Sequence, residues 1–240
     1  MTEPVRLAKR VVEQFNCSRR EAELLVEGGW VMVDGEIVEE PQFKVSEQTL
    51  TLHPDANVDP IPPATILLHK PAGYEAGDGA NPALALICAA SHATDDNSRI
   101  RSLKKHFLRL QPVLPLDVSA SGLQVFTQDY RVVRKLIDDA YKTEQEFIVE
   151  VTGSIAADGL KLLNHGLTID GMVLPVMKVS WQNETRLRFA LKSPRPGQIV
   201  AMCQCVGLTV VSQKRIRIGR IPMAGLLPGQ WRYLPGHERF

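Results

Sequence analysis

Leu114-Pro115-Leu116-Asp117-Val118-Ser119-Ala120-Ser121-Gly122-Leu123 places one carboxylate between an apolar stretch and a Ser/Gly turn. The strand-like run Leu123-Gln124-Val125-Phe126-Thr127 follows at once. An aspartate at such a junction is held rigidly at the end of a strand, where clefts open and reactive side chains collect. Read by itself, Asp-x-Ser is also a common turn or helix cap. What lies on either side of it decides between the two readings.

Downstream, Phe147-Ile148-Val149-Glu150-Val151 alternates like a strand, and residues 156–166 look helical. Residues 168–174 read as a hairpin, and 176–180 and 186–191 as further strands. Gln198 to Val206 reads as a helix closed by Gly207. Residues 208–212 and 215–218 follow as strands. Upstream, Thr65-Ile66-Leu67-Leu68-His69-Lys70 is a buried-strand pattern that Pro71-Ala72-Gly73 ends in a turn. Several hairpin-joined strands with a few helices make an α+β domain with a mixed, mostly antiparallel sheet.

The first fifty residues form a separate pattern. Leu7, Val11, Val12 and Phe15 recur at helical spacing. Ser18 with Glu21 is a capping box for a second helix carrying Ala22, Leu24, Leu25 and Val26, and Gly28-Gly29 stops it. Trp30 to Val33, Asp34-Gly35 and Glu36 to Val38 read as strand, turn and strand. The proline-rich residues 54–63 are an extended linker. The expected domains are therefore 1–53, a small helix-helix-hairpin domain, and 64–240, the larger domain, joined by 54–63.

With 240 residues, 44% hydrophobic and 23% charged, the chain is long enough to bury a substantial core. Its apolar stretches are too short for a membrane span, and the N-terminus has no apolar signal core, so the expectation is a cytoplasmic protein. Cys17, Cys88, Cys203 and Cys205 make no disulfide framework and no zinc half-site, and no histidine is assigned to a metal. The net charge of +1 hides two basic runs. Arg99, Arg101, Lys104, Lys105 and Arg109 form one, and residues 214–240 the other, while acids cluster in the first fifty positions. Local patches rather than the total charge bind phosphates.

The quoted loop resembles the catalytic loop of RNA pseudouridine synthases, roughly Gly-Arg-Leu-Asp-x-x-Ser/Thr-x-Gly-Leu. Further matches follow in order. They are Lys70-Pro71-Ala72-Gly73, Val125-Phe126-Thr127-Gln128-Asp129, Gln213-Lys214-Arg215-Ile216-Arg217-Ile218-Gly219 and Leu226-Leu227-Pro228-Gly229-Gln230-Trp231-Arg232. Residues 5–53, with Cys17-Ser18-Arg19-Arg20-Glu21-Ala22 and Gly29-Trp30-Val31-Met32-Val33-Asp34-Gly35, resemble the S4-type RNA-binding domain. The whole is similar to the RsuA type, which carries such a domain and modifies ribosomal RNA.

The resemblance implies an isomerase that converts specific uridines of ribosomal RNA to pseudouridine, acting as a monomer without cofactor, metal or membrane. It implies that Asp117 is the catalytic carboxylate and Phe147 the stacking floor for the base. It assigns Arg6, Lys9, Arg19, Arg20, Arg195, Lys214 and Arg215 to RNA or to the site. Three positions depart from the pattern: the arginine before the aspartate is Pro115, the tyrosine is Phe147, and the basic partner of the aspartate falls on Val200. Removing one partner of a buried ion pair costs roughly 3–5 kcal/mol. These losses leave a second reading, a catalytically impaired relative that binds or chaperones ribosomal RNA. A hydrolase has no support, because there is no Gly-x-Ser-x-Gly and no ordered triad.

Overall fold

A computed structural model describes residues 3–169 and 171–240. It divides into two compact units, Met1–Pro63 with Arg101–Arg109, and Ala64–Ile100 with Leu110–Phe240.

In the first unit, helix Leu7–Phe15 buries Leu7, Ala8 and Val11 and ends where Asn16 turns left-handed (φ 49°). Helix Arg19–Glu27 begins at the expected capping box. Glu21 N–H donates to the Ser18 hydroxyl at 3.2 Å, and Ser18 N–H donates to the Glu21 carboxylate at 2.7 Å. Asp34 and Gly35 both take positive φ (50° and 87°), as a tight hairpin turn requires, between Val31–Val33 and Glu36–Ile37. Leu50–Leu52 pairs along the other edge of Val31–Val33, and Lys44–Val45 pairs with Val5–Arg6. Both additions escaped the sequence reading, since strands of two or three residues carry no alternation to detect.

The segment Arg101–Arg109 belongs to this first unit, which corrects the expectation that everything from residue 64 onward forms one domain. Arg101 lies over Trp30, 4.4 Å from the ring centroid, and donates to the carbonyl oxygens of Gly28 (2.9 Å) and Gly29. Lys105 pairs with Glu27 at 2.6 Å and Lys104 with Glu40 at 2.8 Å. Three of the five cations in this basic run therefore meet an aromatic ring or the acids of the first fifty residues. The run expected to be a phosphate patch is largely internal glue.

The second unit is built on a nine-stranded sheet. Its main path runs Lys178–Asn183, Arg186–Lys192, Glu144–Gly153, Leu208–Ile218, Ser121–Thr127, Thr65–Lys70, Trp231–Tyr233. Every neighbouring pair is antiparallel except Leu208–Ile218 with Ser121–Thr127, which is parallel. At that junction Gly122 faces Arg215, with φ +109°. A Cβ at 122 would sit 2.6 Å from the Arg215 nitrogen and closer still to its carbonyl oxygen, so only glycine fits. The sequence read two strands across 208–218. The structure has one, with irregularities at 210/212 and 215/217, because polar Gln213, Lys214 and Arg215 interrupt the apolar pattern without interrupting the ladder.

Two clusters of buried side chains fill this unit. One joins Phe147, Val149, Leu187 and Phe189 of the sheet to Leu163 of helix Gly159–Asn164 and to Ile199 and Met202 of helix Gln198–Cys205. The other packs Leu136 of helix Tyr130–Ile137 on Leu67, Leu123, Val125 and Ile218. That helix, capped by Asp129, was not read from the sequence. The expected hairpin pairs Thr168–Ile169 with Met172–Val173, and its Asp170 lies outside the described residues.

Candidate active site

Strand Gln111–Val113 delivers the chain to the Asp117 loop and strand Ser121–Thr127 takes it away. The loop is gripped on both sides of the aspartate. Before it, Leu116 N–H donates to the Gln124 side-chain oxygen at 3.0 Å. The Gln124 amide nitrogen donates back to Val113 O at 2.9 Å and to Val125 O at 3.0 Å. Gln124 is fully buried, so these bonds have no competition from water. After it, Gly73 N–H donates to Val118 O at 2.7 Å. The Lys70 ammonium reaches the same oxygen at 3.5 Å and donates to Tyr74 O (2.7 Å) and Pro71 O (3.1 Å). Leu116 and Ala120 anchor the loop in the core.

So held, half-buried Asp117 stands on the wall of a cavity of about 130 Å³. The wall is shared with Leu114, Pro115, Phe147, Arg195, Ile199 and Arg215, among others. One carboxylate oxygen, Oδ2, accepts from Gly197 N–H at 3.1 Å. Gly197 opens helix Gln198–Cys205, so the carboxylate meets the positive end of a helix. Among the described residues Asp117 forms no ion pair.

Positive charge reaches the site from beneath. Arg215 is 2% exposed; Nε donates to Leu123 O at 2.8 Å and Nη1 to the Gln145 side-chain oxygen at 3.0 Å. Burial lowers its pKa, yet a guanidinium remains a cation at neutral pH. Lys70 is fully buried. Burial, then the neighbouring Arg215 charge, pull its pKa from 10.5 down to about 8, against the opposing fields of Asp117 and Glu75.

Known proteins resemble this chain in sequence and in fold. Residues 5–49 match the S4 domain family. Ribosomal small subunit pseudouridine synthase A of Vibrio cholerae is 28% identical over 98% of this chain and 97% of its own. Ribosomal large subunit pseudouridine synthase B of Bacillus subtilis is 26% identical over 97% and 93%. A crystal structure of a pseudouridylate synthase superposes with a TM-score of 0.62 at 19% identity, covering 96% of each chain, and so shares the fold. The chain is thus similar along nearly its whole length to ribosomal pseudouridine synthases, the RsuA type among them.

The expected site residues divide cleanly. Asp117, Phe147, Arg195 and Arg215 line one cavity, while Lys214, next to Arg215 on its strand, does not. Phe147 is only 2% exposed, a core side chain whose ring reaches the wall. Arg195 is exposed, with its guanidinium on the Met172 sulfur at 3.1 Å. Val200 is half-buried and off the wall, so the position expected to pair with Asp117 does not border the cavity at all. In the first unit Arg6, Lys9 and Arg19 line a second cleft with Val12, Pro41 and Gln42, and Arg20 is exposed outside it.

Lys70, Gln124 and Gly197 were missed as positioning groups. The signal for the first two was there: a charge closing an apolar run, and an amide inside one. Among the described residues no three His, Cys, Asp or Glu side chains come together as a metal site, and no helix is long and apolar enough to cross a membrane.

Proposed function

We propose that this protein isomerises specific uridines of ribosomal RNA to pseudouridine. The observation that carries the reading is a single carboxylate, Asp117, fixed on a mostly apolar cavity wall with cations behind it, in a chain similar along its length to ribosomal pseudouridine synthases. The reaction breaks the N1–C1′ bond of uridine, turns the base and joins C5 to C1′. The proton lost from C5 is balanced by the one gained at N1, so no cofactor, metal or oxidant is consumed. Asp117 acts at close range as nucleophile or base. Phe147 supplies the flat apolar floor.

The target must leave its stack, which costs a few kcal/mol. Phosphate contacts outside the cavity offset that cost. Arg6, Lys9, Arg19 and Arg20 supply them from residues 1–53 as an RNA-binding domain. Residues 54–63 act as linker, and 64–100 with 110–240 as the catalytic domain. Arg195, Lys214 and Arg215 serve the catalytic side, Lys214 through RNA beyond the cavity. The protein works as a monomer in the cytoplasm.

The test is to delete the protein and map ribosomal pseudouridines by carbodiimide-dependent reverse-transcription stops. The expected outcome is one or more lost stops, restored by the wild-type protein and not by Asp117→Asn. An unchanged stop pattern refutes the function.

A further inference from the structure

One polar atom on a cavity-lining residue lacks a partner. Arg215 spends Nε on Leu123 O and Nη1 on the Gln145 oxygen, while Nη2, buried, bonds to nothing. Burying a charged donor without an acceptor is unfavourable, and such orphans mark places where a ligand supplies the missing partner. Arg215 borders the cavity, so the acceptor arrives there. A phosphate is a poor candidate, because the same wall carries the Asp117 carboxylate and the apolar Leu114, Pro115, Phe147 and Ile199. A neutral, flat, keto-bearing ring suits it.

Gln145 sharpens the choice. A guanidinium only donates, so the Gln145 side chain must turn its oxygen to Arg215. Its NH2 group then remains, with no partner among the described residues, on a side chain that also lines the cavity. The two neighbours thus offer only donors. Uracil presents a keto oxygen at C4 where cytosine presents an amino group, and an amino group would set donor against donor.

We propose that Arg215, through its free Nη2 N–H and with the Gln145 amide beside it, reads the 4-keto oxygen of the base in this cavity, and so makes the site select uracil over cytosine. The inference rests on the uridine-modifying function above. It makes Arg215 a specificity-determining residue rather than a general phosphate contact. Val200, which is off the wall, has no part in it.

The test uses full-length protein carrying Asp117→Asn, which halts turnover, and an RNA segment containing the mapped uridine. That position is uridine, cytidine or pyrimidin-2-one riboside, which lacks the C4 oxygen and, like cytidine, the N3 proton. Equilibrium binding should weaken by about tenfold to a hundredfold for both replacements, the scale of a hydrogen bond to a charged donor. Adding Arg215→Met should weaken uridine binding and erase the difference among the three RNAs. Thermal melts check that the variant folds. Should it not, Arg215→Lys keeps the charge without the fork and must still narrow the preference.

Equal binding of the three RNAs by the Arg215 protein overturns the proposal. So does a preference that survives in both variants. The function and this inference fail separately. An unchanged modification map sinks the first, whereas a mapped site bound without regard to the C4 substituent sinks only the second.

Discussion

Lys70 should make the rate of modification fall at alkaline pH while the fold becomes no weaker. Its ammonium is fully buried, donates to two carbonyl oxygens at 2.7 and 3.1 Å, and has a pKa of about 8 rather than 10.5. The charge is therefore present below pH 8 and lost above it. Each further pH unit leaves about a tenth of the charged form, a change of about 1.4 kcal/mol in that state. With the charge goes the grip on the peptide after Asp117 and part of the positive field around it.

Stability from this group has the opposite sign. Between pH 8 and 10.5 the unfolded chain binds the proton better than the folded one, so folding strengthens as pH rises through that window. Lys70→Met separates the two effects. It relieves a burial cost of about 3 kcal/mol, from the drop of 10.5 to about 8. It forfeits two charged hydrogen bonds of about 1.5–3 kcal/mol each. The balance keeps stability within about 3 kcal/mol of the wild type. The assay is single-turnover modification from pH 6.5 to 9.5, with thermal melts alongside. Ionisation of the uracil ring is common to both proteins, so the ratio of wild-type to Lys70→Met rates isolates the lysine. That ratio should be roughly ten or more at pH 7 and collapse above pH 8. A ratio flat across the range refutes the reasoning.

Gly122→Ala drives a methyl group into the Arg215 backbone at a φ of +109° and should destabilise the second unit by about 2 kcal/mol or more, measured by denaturant unfolding. Replacing Arg6, Lys9 or Arg19 by alanine should weaken RNA binding evenly across sequences and lower the salt slope by about one per residue, leaving the rate on bound RNA unchanged. Cutting the chain between Asp55 and Pro63 should not release the N-terminal piece. Residues 101–109 remain attached to it through Trp30, Glu27 and Glu40, and co-elution on size exclusion checks this.

Much of the architecture was legible in the chain. Ser18 and Glu21 announce a helix start because capping is local chemistry, and Asp34-Gly35 announces a hairpin because few residues tolerate its φ values. Thr65–Lys70 reads as a central strand because all six residues are buried. What escaped depends on distant partners. Arg101 looks like part of a basic patch until Trp30 is found beneath it. Gln124 looks like a polar break in a strand until its amide is seen bonded to Val113 and Leu116 ahead of the turn. Arg215 could be named as a site cation, but its one free N–H emerges only when its two bonded nitrogens are counted.

The absent base at position 200 looks different once those partners are known. Positive potential around a carboxylate has several sources, of which a basic side chain is one. Here the N–H of Gly197 bonds to it at the start of a helix, whose end carries about half a unit charge. Lys70 feels the Asp117 charge from the neighbouring turn, and Arg215 shares the cavity wall. None of the three depends on residue 200. Arg215 is locked into a central strand by the Gly122 contact, and Lys70 by the turn that closes its own strand. Both side-chain cations sit in the sheet, where positive charge is costly to bury and hard to displace. The substitutions at 115 and 200 therefore leave the helix end, Lys70 and Arg215 as the sources of positive potential around the site.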